Sequence, residues 1–339
     1  MTWRHLLLPL TPLYRGVVAA RGAAFNRGWL RREGLGIPVI SVGNLSFGGT
    51  GKTPTVIALV RDLVRLGRRP AVLSRGYRRR NRDLVVVMGP HPKKGVDEVG
   101  DEPLEMARRL PGVPIVVDAD RVCGGREALR LGADVVVLDD GFQHRRLERD
   151  LDLVLLDAGD PWGGGRLPPL GRLREPLHAL RRASAVLVTK VPEDWQPVVT
   201  DIRSRLAQIA PGLPVFAVRM NLHRVRLPNE GSQGPEVLKG KRVFAFAGLG
   251  RPSGFSTILE DAGAEVVATR WFPDHHRYTS DDVESVLAGA TAVDAAPVTT
   301  AKDAVKLPRD AAVWVVEAAM VPVEGGWEKL WQVAPKVVT

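Results

Sequence analysis

Cysteine is nearly absent from this chain: one residue, Cys123, in 339. That excludes an internal disulfide and a zinc site built from several thiolates, and it fits a reducing compartment. Aromatic residues are scarce at 6%, with three tyrosines. They offer no platform on which bases would stack, and no recognised nucleic-acid module accompanies the charge. No uncharged run approaches the roughly 18 residues that a membrane-spanning helix needs. Lysine is sparse too, ten of the 48 basic residues, so the formal charge of +10 rests mostly on arginine. A basic balance suits anionic partners, whether nucleic acid, anionic lipid or phosphorylated substrate, and does not choose among them. There is no internal repeat and no long low-complexity tract. At 45% apolar and 25% charged, the composition is that of an ordinary globular chain of about two domains.

What the chain does have is a phosphate-binding loop. Val39, Ile40 and Val42 read as a buried strand, and Ser46, Phe47, Gly48, Gly49, Thr50 and Gly51 as a glycine-rich turn. Lys52 and Thr53 then open a helix to about Leu66, with Pro54 in its first turn, where a missing N–H costs nothing. Glycines let backbone N–H groups converge on phosphate oxygens, and the helix N-terminus adds its positive end. Lys52 is expected to reach the β- and γ-phosphates and the Thr53 hydroxyl to bind Mg²⁺. The common pattern G-x-x-x-x-G-K-[ST] departs once: its first glycine is Ser46.

Residues 1–35 differ from the rest. Leu6–Leu10, Leu13, Tyr14, Val17, Val18, Ala24 and Phe25 form a mostly apolar face from about Pro12 onward, with arginines mostly off it. Pro9 and Pro12 break the apolar core of a signal peptide, and no cleavage site follows. A basic amphipathic helix on a membrane surface fits, as does a helix docked on its own domain.

Further on, short apolar strands end in polar clusters. Pro70–Ser74 leads to the basic loop Arg75–Arg80, at the edge where open α/β sheets bind ligands. Gly100-Asp-Glu-Pro103 opens a helix, so Asp101 and Glu102 read either as capping charges or as a general base. Ala133–Leu138 ends in Asp139-Asp-Gly-Phe-Gln-His144, a Walker B arrangement whose aspartate would hold Mg²⁺. Residues 163–176 form a long irregular segment with Arg166, Arg172, Arg174 and Glu175. A second α/β unit begins with the strand Val243–Ala247; the G-x-G-x-x-x-G that follows reads as a structural turn. His275 and His276 follow Asp274 and read as catalytic or structural. These elements predict an open, mostly parallel sheet with helices on both faces, plus a second, smaller α/β domain. The expected divisions are 1–35 (surface helix), 36–212 (phosphate-loop core), 213–236 (extended linker) and 237–339 (smaller domain, whose last helix can pack back on the core).

The motif set resembles the lipid A biosynthesis kinase family, the tetraacyldisaccharide 4'-kinases, nearly end to end. The likeness rests on Ser41–Pro54, Leu73-Ser-Arg-Gly-Tyr77, Gly100–Pro103, Asp139–His144, Gly171–Pro176, Phe272-Pro-Asp-His275 and Lys302-Asp-Ala-Val-Lys306. Ala301 stands where the family usually has glutamate. The resemblance implies ATP-dependent phosphorylation of the 4'-hydroxyl of a tetraacyldisaccharide 1-phosphate, forming lipid IVA, with ATP and Mg²⁺. It implies Asp101 as base, His275 as its partner, and Asp139, Asp140, Gln143 and His144 around Mg²⁺. It implies Tyr77, Glu102, Arg121, Arg174 and Glu175 on the substrate side. It also implies a monotopic protein on the cytoplasmic face of the bacterial inner membrane, bound to anionic lipid, with no nucleic acid and no obligate protein partner. Two rivals stay open at this point: a nucleotide switch with water as acceptor, and a nucleic-acid binder suggested by charge alone.

Overall fold

The computed structural model describes residues 10–339, apart from 78, 90, 91, 229 and 251. The apolar run expected at Leu6–Pro9, and Arg78 and Arg251 in their loops, lie outside the described residues. Among these, the strands form one mixed sheet in the order β11-β10-β12-β13-β8-β7-β6-β1-β5-β2-β4-β3, with β9 on the edge of β8. The ranges are β1 Val39–Asn44, β2 Pro70–Ser74, β3 Val85–Val87, β4 Ile115–Val117, β5 Val135–Asp139, β6 Leu151–Asp157 and β7 Ala185–Thr189. They continue with β8 Val215–Leu227, β9 Gly231–Gln233, β10 Arg242–Ala247, β11 Glu265–Trp271, β12 Ala296–Thr300 and β13 Trp314–Pro322. Pairing is parallel except at β3–β4, β8–β9 and β8–β13.

The strands β1, β2, β5 and β7 are buried at every residue. That is why they read as continuous β-branched runs rather than alternating ones: helices cover both faces of a parallel sheet. The connection from β1 leaves towards β2, on the far side of β5, while β6 leaves towards β7. The order therefore reverses between β1 and β6, and a ligand crevice opens beyond their C-terminal ends. Helix α1 spans Leu10–Asn26 and helix α2 Lys52–Arg65. In α2, Val56, Ile57, Leu59, Val60 and Leu63 are buried, a helical spacing that turns one face to the sheet.

Residues 213–236, read as a connector, contain β8. Its first residues pair with β7, and from Val218 onward it pairs with β13, so one strand carries the sheet from one half to the other. The last strand, β13, runs from Trp314 to Pro322. Glu317 interrupts its apolar pattern because it meets the buried Arg109 at 3.5 Å. Near the C-terminus, Leu330, Trp331, Ala334 and Val337 join the core over α2, and Trp331 Nε1 donates to Asp62 Oδ2 at 2.7 Å.

Candidate active site

The loop after β1 is shaped from all sides. Gly51 takes a left-handed backbone (φ 81°) and leaves the α2 N-terminus without a side-chain cap, so its amides stay available to an anion. Asn44 Nδ2 donates to Thr50 Oγ1 at 3.0 Å, and Lys52 Nζ reaches Asn44 Oδ1 at 3.4 Å. Ser46 forms an antiparallel bridge with Leu173, flanked by Phe47 N to Arg172 O at 2.7 Å and Arg174 N to Leu45 O at 2.6 Å. The irregular segment expected over 163–176 is thus a strap laid along the loop. Ser46 is not among the left-handed residues, so the first glycine of the common pattern is not required here.

Beside the loop, β5 delivers Asp139 and Asp140. Gly43 permits this approach: a Cβ there would stand 2.6 Å from the Phe142 backbone N. Ser74 Oγ donates to Asp139 Oδ2 at 3.0 Å, while Asp139 Oδ1 is buried with no hydrogen-bond partner among the described residues. Burial, then the Asp140 charge, push Asp139 up. For Asp140 burial is outweighed by Lys52 at 3.7 Å and Arg174 at 2.7 Å, which hold it below the usual range. Gln143 donates to Asn44 O at 3.0 Å and accepts from Arg174 at 3.4 Å. Burial and the charges of Arg121 and Arg149 push His144 down to about 4, and its Nε2 is buried without a partner among the described residues. A neutral imidazole, an unpartnered carboxylate oxygen and the Thr53 hydroxyl suit a hard cation and its water shell.

Residues 237–339 supply Asp274, His275 and Lys302 to the opposite wall, where His275 meets Asp101 of the loop's own half. Asp101 starts the helix Asp101–Arg109 and is 5% exposed. His275 Nδ1 lies 2.7 Å from its Oδ2. Burial pushes the Asp101 carboxyl up, but the His275 hydrogen bond and the charges of His275 and Lys302 outweigh it, so it sits below its ordinary value. His275 is left-handed (φ 63°), a strained conformation for a residue with a side chain. Asp274, beside it, is held by Lys302 Nζ at 2.9 Å. The Tyr77 ring tilts towards the imidazole at 5.7 Å between centroids.

The remaining expected residues are mostly committed to partners. Arg174 Nη1 donates to both Asp140 oxygens, at 2.7 and 2.8 Å, and the guanidinium lies over the Phe47 ring. Glu175 pairs with Arg182 at 2.7 Å. Arg121 is 3% exposed and holds the carbonyls of Asp118 and Asp139; burial lowers it to about 10. Glu102 is half-buried, and burial with the Asp139 charge raises it to about 8.

These residues face one cleft of about 1490 Å³. Its lining takes in Ser46–Thr53, Tyr77, Glu102, Arg121, Asp139, Asp140, Gln143, His144, Arg174, Glu175 and His275. Asp101 sits behind that wall. Sequence reasoning gave no role to Asn44, Ser74, Lys190 and Lys302, although all but Lys190 lie within the motifs that carry the likeness; each is a polar group at or just after the end of an apolar strand. Helix α1 edges the cleft mouth with Tyr14, Val17, Val18 and Arg21. It docks through Tyr14 Oη to Arg174 O at 2.9 Å and through Arg145, which reaches Gly22 O and Asn26 Oδ1. The helix thus docks on its own domain, while Leu13 and Val17 remain 65% and 60% exposed.

Residues 3–334 match the profile of a family described as Tetraacyldisaccharide-1-P 4'-kinase. A tetraacyldisaccharide 4'-kinase of Anaeromyxobacter sp. (strain Fw109-5) is 46% identical over 307 residues, covering 89% of this chain and 83% of that protein. One from Syntrophus aciditrophicus (strain SB) is 42% identical over 314 residues, covering 89% and 84%. The crystal structure of LpxK from Aquifex aeolicus in complex with ATP superposes with a TM-score of 0.79 at 33% identity, over 100% of both chains.

Proposed function

The chain belongs to the tetraacyldisaccharide-1-phosphate 4'-kinase family, and from that premise we infer how its cleft works. It is an ATP-dependent kinase that phosphorylates the 4'-hydroxyl of a tetraacyldisaccharide 1-phosphate. The observation that carries the site assignment is that the phosphate loop and His275, from the two halves of the sheet, line one cleft, with Asp101 hydrogen-bonded to His275 behind its wall.

The loop amides and Lys52 hold the β- and γ-phosphates. Thr53, Asp139 and Asp140 would hold Mg²⁺, with Gln143 and His144 close by, and the ion would supply charge neutralisation on the phosphates. The 4'-oxygen attacks the γ-phosphorus, the bond to the β,γ-bridging oxygen breaks, ADP leaves, and Asp101 takes the hydroxyl proton. An ionised carboxylate only accepts, so His275 Nδ1 is the donor to it. That bond fixes the carboxylate's direction, and Lys302 steadies the strained His275 turn through Asp274. Tyr77, Glu102 and the arginines lie on the sugar-phosphate side. The two halves, 36–212 and 237–339, close on substrate. Incubation with labelled ATP, Mg²⁺ and the lipid A precursor should move label to lipid. Equal ATP hydrolysis with and without lipid, and no labelled lipid, would turn the reading into that of a nucleotide switch.

The dyad makes a pH prediction. The His275 bond and the cationic charges, Lys302 included, keep Asp101 ionised below the pH at which a free carboxyl protonates. In His275→Ala, burial acts with less opposition and the Asp101 pKa rises. The acid limb of the kcat/KM profile should therefore move to higher pH, with a lower plateau. An acid limb that stays in place would remove His275 from the proton path.

Among the described residues no helix is long and apolar enough to cross a membrane. We propose attachment to the cytoplasmic face of the inner membrane through the exposed edge of α1, where Leu13 and Val17 lie one turn apart near Arg15 and Arg21. Leu13→Glu/Val17→Glu leaves the Tyr14, Gly22 and Asn26 contacts intact. Burying these two side chains is worth about 1.5–3 kcal/mol each, so affinity for phosphatidylglycerol vesicles should fall at least about tenfold. Unchanged co-sedimentation would rule out this edge.

A further inference from the structure

Two consecutive residues at the end of β7 hold two consecutive carbonyls of the phosphate loop. Thr189 Oγ1 donates to Thr50 O at 2.8 Å, and Lys190 Nζ donates to Gly49 O. Lys190 Nζ also meets Asp157 Oδ2, from the end of β6, at 2.8 Å. The Lys190 backbone is left-handed (φ 57°), which is uncommon for a residue with a side chain. Strands β6 and β7 thus deliver an ammonium and its counter-ion to the outer side of the loop that β1 delivers.

A peptide group is planar, so holding its oxygen sets the direction of its N–H. Holding Gly49 O fixes the plane that carries the Thr50 N–H, and holding Thr50 O fixes the plane that carries the Gly51 N–H. The Thr50 N–H closes on Gly48 O at 3.1 Å, so the loop is drawn into a tight turn gripped from outside. Without the grip, the Gly48-Gly49 pair has little to restrain it, since glycine samples both signs of φ. Ordering it would then be charged against nucleotide binding.

We propose that Lys190, with Asp157 as its counter-ion, is a positioning residue for the nucleotide: it sets the phosphate loop in its receiving shape through the Gly49 carbonyl. The inference rests on the kinase reading above, because it concerns the same ATP. It assigns Lys190 no contact with the reacting atoms, so its loss should act on ATP affinity before it acts on chemistry.

The test compares Lys190→Met, which keeps the stem and removes the charge, with Lys190→Arg. Binding of MgATP is read by displacement of a fluorescent ATP analogue, and KM for ATP and for lipid are measured separately. Lys190→Met should bind MgATP about 10- to 100-fold more weakly, the usual weight of a hydrogen bond to a charged group. KM for ATP should rise in step, KM for lipid should hold, and Lys190→Arg should recover most of the affinity. Asp157→Asn should weaken binding in the same direction, and should add little in the Lys190→Met background. MgATP binding by Lys190→Met within twofold of wild type overturns the inference. So does an arginine variant as defective as the methionine one with both KM values moved, because a structural lesion would do that. Wild-type protein that binds no MgATP would overturn the kinase reading and this inference together. Tight binding by wild type and Lys190→Met alike overturns this inference alone.

Discussion

Lys52→Ala should fold normally and lose about 10²–10³-fold in turnover, the weight of one positioned donor at a site where charge develops. The side chain is 12% exposed, at the mouth of the phosphate loop rather than in the core. Its removal leaves one contact unreplaced, the 3.4 Å approach to Asn44 Oδ1. Asp140 keeps two bonds from Arg174, and Asn44 keeps its bond to Thr50. What is lost is the one ammonium that reaches over the loop from the N-terminus of α2, where the γ-phosphate becomes more charged as it transfers. Two readouts check this: circular dichroism for the fold and phosphate transfer to lipid for turnover. Near-normal lipid phosphorylation by a folded variant would remove the loop from the mechanism. The contrast with Lys190 is informative. Lys190 grips the loop from outside, so its loss should show in ATP affinity, whereas loss of Lys52 should show in kcat.

How far the site was legible depends on whether its parts lie close together in sequence. The phosphate loop is local: a buried β-branched strand, glycines and Gly51-Lys-Thr53 fall within about one strand, one turn and the start of one helix, and each part declares itself. Asp139 is local too, at the end of an apolar run. The Asp101–His275 contact spans 174 positions, and no spacing announces it; only the family resemblance pointed there. The clasp on the loop spans 141 positions between Lys190 and Gly49, and a lysine ending a strand looks like any solvated charge. Arg174 and Glu175 were legible as a polar strap, but not their partners, since a sequence does not say that Arg174 lies on Asp140 rather than facing solvent. The fold shows the same limit. Parallel strands buried on both faces read clearly. β8 does not, because it is alternately exposed and buried along its second half, so its role as the strand shared by both halves appears only from its pairing. In α1 the apolar periodicity was visible, whereas its docking rests on side-chain-to-backbone bonds that no hydropathy pattern encodes.

The second large effect is expected from Asp101→Asn: MgATP binding retained, and turnover down about 10²–10⁴-fold, the usual weight of general base catalysis. A sugar hydroxyl ionises far above neutral pH, so its proton must leave as the phosphoryl group arrives. Of the carboxylates that line the cleft, Asp139, Asp140 and Glu102 are the competitors for the role. Asp140 is committed to Lys52 and Arg174. Asp139 is buried beside it, with Ser74 on one oxygen and the other suited to the cation. Glu102 adjoins Asp101, but burial and the Asp139 charge push its carboxyl up, away from the ionised form that a base must start from. Asp101 is the one held below its ordinary value and free of metal duty. Asparagine is isosteric and still accepts from His275 Nδ1, so the dyad geometry survives while the basic oxygen does not. Glu102→Gln should cost far less. His275→Ala should also cost less than Asp101→Asn, and the double variant should fall short of the summed losses because the two act as a unit. The assignment is falsified if Asp101→Asn turns over near normally with an unchanged pH profile. A Glu102→Gln variant as slow as Asp101→Asn would pass the role to Glu102, and loss of MgATP affinity in Asp101→Asn would move Asp101 into the metal site.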